Sequence, residues 1–316
     1  MRIVSLLPSA TEMLFALGLD REIVGVSHEC DDPAAARTKR VIIQSRIPKD
    51  ASPLEIDSLV REFVSKGESL YSVDAQALQE LQPDLIITQD LCHVCAASPD
   101  DLATALARFE HQPEVLCLNP QDIGDVWRDI LWVGDETARG PASEALVNQI
   151  AARLGALEEQ VRTIPQSGRP RVAFLEWLQP FYVGGHWVPE MIELAGAKDV
   201  FGKVRTPSFR VTAEDIVEAA PEILLLACCG YNAARCTAEF KNLPLPQTWN
   251  DIPAVRLNRI YACEANSYFS RPGPRLMTGI EALAKLFHPH LRVSTEADSS
   301  PAIVPISSSA SRTASA

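Results

Sequence analysis

The sequence predicts an α/β fold: two doubly wound lobes with parallel sheets, joined by one long helix, with a ligand cleft between the lobes. Three observations predict it. Apolar segments of strand length alternate with amphipathic segments of helix length along most of the 316 residues. The two halves echo each other: Leu81-Gln82-Pro83-Asp84-Leu85-Ile86-Ile87 matches Ala219-Ala220-Pro221-Glu222-Ile223-Leu224-Leu225. Between the echoes lies a helical pattern over residues 140–164. Pro141 suits its first turn, Pro165 forbids its continuation, and Leu146, Ile150, Leu154, Leu157 and Val161 form one apolar stripe. At 1.5 Å per residue that helix is about 35 Å long. The expected organisation is a first lobe over 1–139, a connecting helix over 140–165, a second lobe over 166–290, and a disordered tail over 291–316 rich in Ser, Ala and Thr.

The elements follow in order. Residues 2–7 read as a core strand ended by Pro8. Ser9-Ala10-Thr11-Glu12 reads as a capping box for the next helix, which Gly18 closes. Residues 22–26 are a strand ending in His28-Glu29-Cys30-Asp31, and a polar stretch and a helix near 54–65 follow. Ser72-Val73-Asp74 opens a helix that stops before Pro83. Residues 84–88 form a strand that ends in Gln89-Asp90-Leu91-Cys92. Ser98-Pro99-Asp100-Asp101 starts another helix, with proline first and acids in the first turn. Residues 114–118 are a strand and 122–137 a helix, whose Trp127 and Trp132 read as packing residues.

The second half restarts with a strand at 171–176 and a loop through Gly184-Gly185-His186-Trp187. A helix at 189–195 is closed by Gly196, and Thr212-Ala213-Glu214-Asp215 caps the next one. A strand at 222–227 ends in Cys228-Cys229-Gly230-Tyr231. Another at 259–263 precedes Asn266-Ser267-Tyr268-Phe269, and a last helix covers 274–287. Ligands of such sheets gather at the carboxyl ends of the strands, and two lobes can turn those edges toward one cleft.

Bulk properties exclude several classes. A net charge of −12 without a basic stripe argues against nucleic acid. Apolar runs such as 223–229 are far too short to span a bilayer. Met1-Arg2 runs straight into an apolar segment too short for a secretory leader. The eight cysteines suit a reducing compartment. The expected location is therefore the cytoplasm, or the periplasm if the natural start lies upstream. No G-x-S-x-G elbow, phosphate-binding glycine loop or HExxH helix is present, so a non-catalytic role without a catalytic cofactor is expected.

Several stretches point to a family. They are the opening Arg2-Ile3-Val4-Ser5-Leu6-Leu7-Pro8-Ser9-Ala10-Thr11-Glu12, then Val24-Gly25-Val26-Ser27, Pro83-Asp84-Leu85-Ile86-Ile87 and Ser270-Arg271-Pro272-Gly273-Pro274-Arg275. In this ordered set, over residues 1–288, the chain resembles the cobalamin-binding proteins of ABC importers. Their helical-backbone class also binds iron–siderophore and haem ligands. The resemblance implies a monomer that holds cobalamin or another corrinoid between its lobes with little hinge motion.

By motif position, the resemblance puts ligand contacts at Pro8, Ser9, His28, Glu29, Gln89, Leu91 and Cys92 in the first lobe. In the second it puts them at Trp177, Gly185, His186, Trp187, Gly230, Tyr231, Asn266, Tyr268 and Phe269. Aromatic faces and a few polar groups suit a large flat ring with amide side chains. Glu29 departs from the pattern, standing where the family's tyrosine is expected. The resemblance also implies that Asp74 and Glu214 pair with arginines of an ABC permease, if the chain is exported. Their plainer reading is as first-turn acids that favour the helix dipole.

Cys92-His93-Val94-Cys95 is the sharpest local motif. A lone CxxC suits a redox pair or half a metal site. Cys30, Cys228 and Cys263 also stand at strand ends, which raises the expectation of a thiol-rich cleft, against the plainer reading of buried cysteines as small apolar residues. A thiol-dependent redox or soft-metal role for Cys92 and Cys95 is the alternative function. His28 and His186, with those two cysteines, are the metal-ligand candidates.

Overall fold

The computed structural model describes residues 1–89, 99–107, 109–299 and 302–306. These described residues divide into two compact units, one drawn from Met1–Ala151 with Pro272–Pro274, the other from Ala152–Arg271 with Arg275–Ala316.

In the first unit, β1 (Ile3–Ser5), α1 (Pro8–Ala16), β2 (Ile23–Ser27) and β3 (Arg40–Ser45) come first. Then follow α2 (Pro53–Lys66), β4 (Tyr71–Val73), α3 (Ala75–Leu81), β5 (Leu85–Gln89), α4 (Pro99–Leu106), β6 (Glu114–Leu118) and α5 (Ile123–Glu136). The sheet order is β4-β3-β2-β1-β5-β6, with only β4 antiparallel. The order runs outward in both directions from β1. Right-handed crossovers therefore put α1 on one face and α4 on the other, the doubly wound arrangement. Accordingly α1 packs with α5, and α3 with α4. Val4, Leu6, Ile42, Ile43, Leu78 and Ile86 sit in the core beside α3 and α4.

The helix α6 (Gly140–Val161) carries the stripe read from the sequence. Ile150, Leu157 and Val161 are buried. It ends three residues early, where the Thr163 and Ile164 N–H groups bond back to Gln160 and Val161 in a tight turn ahead of Pro165. The boundary between the two units falls within this helix, after Ala151.

The second unit contains β7 (Arg171–Leu178), β8 (Phe181–Val183), α7 (Val188–Leu194), β9 (Lys198–Asp199), β10 (Phe209–Val211), α8 (Ala213–Ala219) and β11 (Ile223–Leu226). It continues with α9 (Ala233–Lys241), α10 (Pro253–Arg256), β12 (Ile260–Cys263), α11 (Ala265–Tyr268), α12 (Leu276–Phe287), α13 (Thr295–Ser299) and β13 (Ile303–Pro305). Its order is β10-β8-β7-β11-β12-β13, with β9 also on β7. The centre β7-β11-β12 is parallel, and both outer edges are antiparallel.

Several expectations need correction. No capping box opens α1: Pro8 starts the helix after an extended Leu7 that makes no side-chain cap. Thr11, expected as part of that box, turns inward instead, its hydroxyl within hydrogen-bond distance of Ser5 Oγ at 2.8 Å and the Leu7 carbonyl at 3.0 Å. The stretch before α2 contains β3, and Tyr71–Val73 is a strand rather than a helix start. Both were masked by polar residues on a solvent face, whereas Ile42 and Ile43 are buried. The loop after β7 is a hairpin. Trp132 is 44% exposed and donates to Glu136, so it is no packing residue.

The tail expected to be disordered over 291–316 is partly built. Within it α13 forms, and β13 pairs with β12 in the register Ala262↔Val304. Ala302 and Ile306 bury themselves there, and covering an open sheet edge outweighs a composition that reads as unstructured. Pro305 is tolerated because β13 is an edge strand.

Candidate functional site

Each unit brings three neighbouring parallel strands to a shared carboxyl edge. In the first unit these are β2, β1 and β5, and the strand order reverses at β1, the position where α/β sheets collect ligands. Pro8 and Ser9 follow β1 as the first residues of α1, with Ser9 buried. Gln89 is the last residue of β5 and is also buried. His28 and Glu29 follow β2. The His28 Nδ1 faces the Ile43 carbonyl at 3.2 Å and its Nε2 lies 3.3 Å from Glu29 Oε1, so the ring is oriented by its own unit. Thr11 was not expected at this edge. Its hydroxyl reaches Cys30 Sγ at 3.0 Å, which links the loops after β1 and β2.

In the second unit the edge is made by β7, β11 and β12. Trp177 is half-buried, with its ring centroid 5.3 Å from that of Tyr231 and its Nε1 donating to the Gln179 carbonyl. The Arg235 guanidinium lies over the Tyr231 ring, 3.8 Å from its centroid. Burial pushes the Tyr231 hydroxyl up to about 12. The turn after β11 uses a left-handed Gly230 with φ 81°, and the Gly230 N–H donates to Asn266 Oδ1 at 2.9 Å. Glu264 Oε1 accepts from the Ala233 N–H. These two bonds tie the loops after β11 and β12 together. Helix α9, absent from the sequence reading, is marked by the Asn232 cap, which accepts from the Arg235 N–H.

Gly185 and His186 sit against a second loop. The His186 N–H donates to the Thr206 carbonyl at 2.7 Å, and the Arg205 N–H returns a bond to the His186 carbonyl at 3.1 Å. His186 and Arg205 are both left-handed, with φ 53° and 62°. Non-glycine residues hold that conformation only where surrounding structure imposes it, which is common at binding loops. Burial holds the His186 imidazole below its usual range, and its Nδ1 has no partner among the described residues. Arg205 was not among the expected residues, since nothing local marks a left-handed arginine.

The five aromatic expectations divide. Trp177 and Tyr268 are half-buried, so part of each side chain faces outward. Phe269 is fully buried against Phe174, and Trp187 is buried with its Nε1 on the Phe269 carbonyl, so both are packing residues of their own unit. Tyr231 is also buried, beneath Trp177 and Arg235. The expected thiol-rich cleft is corrected in the same way. Cys30, Cys228 and Cys263 are buried at 4%, 1% and 0% exposure, because the sheet edges that carry them are capped by their own helices. Leu91, Cys92 and Cys95 lie outside the described residues. Among the described residues no cluster of three or more His, Cys, Asp or Glu could hold a metal ion. Asp74 caps α3 by accepting from the Ala77 N–H, and Glu214 is exposed in the first turn of α8.

Two α/β units that gather their loops at strand ends have the arrangement in which such sheets bind ligands. The chain belongs to the periplasmic binding protein family, whose model matches residues 3–266. That family comprises the non-catalytic substrate-binding proteins of ABC importers. The uncharacterised ABC transporter substrate-binding lipoprotein YvrC of Bacillus subtilis is 26% identical over 91% of this chain and 80% of its own. A vitamin B12-binding protein of Vibrio parahaemolyticus is 23% identical over 90% of this chain and 89% of its own. Among solved structures, a periplasmic heme-binding protein of Pseudomonas aeruginosa has a TM-score of 0.73 at 19% identity, covering 97% of this chain and 98% of that one. The cytoplasmic location expected from the sequence is overturned, because family and relatives are periplasmic proteins or lipoproteins. That expectation rested on the first residues, which report only where this sequence begins, and on a cysteine count, which does not by itself fix a compartment.

Proposed function

We propose that the chain captures cobalamin or a related corrinoid outside the cytoplasm and delivers it, chemically unchanged, to an ABC permease. The observation that carries the reading is the half-buried Trp177 at the carboxyl edge of the second unit, its ring held 5.3 Å from that of the buried Tyr231, together with the polar strand-end loops at Gly185-His186 and Gly230. A flat macrocycle gains from an aromatic face, and its amide side chains need a few fixed polar partners. The B12-binding relative, similar over most of both chains, supports the cargo. Pro8, Ser9, His28, Glu29 and Gln89 supply the contacts from the first unit, with α6 as the connecting backbone between the two. His186, kept neutral by burial, is the candidate axial ligand of the cobalt. Asp74 and Glu214 are the acids that meet the permease, one from each unit.

The test is a titration of purified protein with hydroxocobalamin, followed by visible absorbance and calorimetry, with hemin titrated in parallel. The expected result is saturable one-to-one cobalamin binding, with a spectral shift that His186→Ala removes. Saturation by hemin with no response to hydroxocobalamin would reassign the cargo to haem.

A further inference from the structure

The turn after β11 holds two thiols that ligand capture does not use. Cys228 follows the strand and Cys236 lies in α9, and their Sγ atoms are 3.2 Å apart. Both are buried, at 1% and 0% exposure. The two thiols share a hydrogen bond in which either sulfur can donate. That bond holds the Cys236 thiol below its ordinary range, and with burial it drives Cys228 well above. In the folded unit Cys236 is thus the more readily ionised of the two. Of the neighbouring thiols, Cys229 is exposed and lies outside this buried pair, and Cys263 is fully buried with its thiol pushed well up by desolvation.

We propose that Cys228 and Cys236 form a disulfide as the protein matures in an oxidising compartment. The inference rests on the extracytoplasmic placement but not on the identity of the cargo. The thiolate of one of the two cysteines attacks a sulfur of an external disulfide oxidant, forming a mixed disulfide and expelling one thiolate. The other cysteine then loses its proton and attacks the first cysteine's sulfur, the new S–S bond forms, and the second thiolate leaves. The cysteine pair gives up two protons and two electrons, and the oxidant becomes two thiols. Because both side chains are buried in the folded unit, exchange belongs to folding, before α9 settles on the sheet. Closing the bond needs about 1 Å of sulfur movement. It pins the Gly230-Tyr231 turn, whose Tyr231 N–H already bonds the Cys228 carbonyl, to the helix that follows.

Arg235 lies between the two thiols, so trypsin converts the disulfide into two joined peptides, one of them residues 236–241. The full chain is directed to a bacterial periplasm, purified without reductant, unfolded in iodoacetamide and digested. In parallel, reduced chain is refolded with oxidised glutathione and treated alike. The expected result is that Cys236 escapes alkylation and appears in the joined pair in both samples. Cys229→Ser keeps the link and Cys228→Ser abolishes it. The linked protein is expected to melt several degrees above its reduced form. Alkylated Cys236 in the glutathione-refolded chain, or a link that survives Cys228→Ser, overturns the pairing. A link formed with glutathione but missing after export overturns the maturation step and points to the compartment rather than the geometry.

Discussion

The indole Nε1 of Trp187 donates to the backbone carbonyl of Phe269 at 2.8 Å, across 82 residues of sequence. Both residues are buried, so this one bond fastens the start of α7 to the loop that ends α11. It also explains why two aromatics that look like ligand contacts in the sequence serve the second unit's own packing. Trp187→Phe keeps an aromatic ring but removes the donor together with part of the buried bulk. The expected loss is at least about 1–3 kcal/mol, the cost of a buried carbonyl left unpaired, with a cavity contribution added to it. Urea denaturation checks it, and an unchanged midpoint would show that the carbonyl finds another partner.

Gly185 has no room for a side chain. A Cβ there would lie 2.7 Å from the Thr206 carbonyl oxygen and from the Pro207 carbonyl carbon, both backbone atoms that cannot rotate away. Gly185→Ala is expected to push the 203–208 loop outward and break the paired bonds between His186 and residues 205–206. Cargo affinity should fall at least tenfold while the rest of the unit stays folded, a difference of about 1.4 kcal/mol or more. Calorimetric titration of wild type and variant, with circular dichroism to confirm folding, decides it.

Asp129 is buried on α5, and its Oδ2 has no hydrogen-bond partner among the described residues. Desolvation pushes its carboxyl up to about 7, with Arg128 pulling partly back. Unfolded, the same group titrates near 3.9. Between those values the native state holds the extra proton, so the contribution of this group to stability is full below pH ~4 and declines as pH rises toward ~7. Asp129→Asn removes the titration. Relative to wild type the variant should gain stability with rising pH, by on the order of 1–3 kcal/mol between pH 4 and pH 8. Parallel denaturation curves at the two pH values provide the measurement, and a constant difference would refute the assignment.

Arg153 anchors the later part of α6 to α12. Its NH2 group lies 2.5 Å from Glu281 Oε2, 3.1 Å from Ser294 Oγ and 3.2 Å from Thr278 Oγ1, and the Glu281 side chain is only 5% exposed. Removing the cation alone leaves that buried carboxylate without a counter-charge, held among the described residues only by the Ser294 hydroxyl and N–H. Arg153→Met should therefore cost about 3–5 kcal/mol, and Arg153→Met with Glu281→Met much less than the sum of the two single changes. A double-mutant cycle in denaturant measures the coupling, and simple additivity would show the pair to be independent.

Regular patterns were legible along the chain. The strand at Glu114–Leu118 and the α8 cap, where Thr212 and Asp215 bond each other's backbone, could be read from local residue types. Elements that show an apolar face only after pairing were not. Lys39 and Arg40 hide the start of β3, and residues 302–306 gain a reason to be a strand only beside β12. The site divides along the same line. Position at a strand end could be inferred for Trp177, Gly185, His186, Gly230 and Asn266, but not which side chains stay available. Phe269 and Tyr231 look alike in sequence to a ring-binding aromatic and are consumed by Phe174, Trp177 and Arg235.

By itself the sequence determined the alternation of strands and helices, the long helix at the centre of the chain and the family, because periodicity, prolines and caps act within a few residues of each other. Only the tertiary structure decided that Cys228 meets Cys236, that His186 faces Arg205 in paired left-handed turns, and that residues 302–306 close the edge of the second sheet. Those outcomes depend on contacts between segments distant in sequence or on backbone conformations that neighbours impose. The free energy of such contacts exists only once the sheets have assembled.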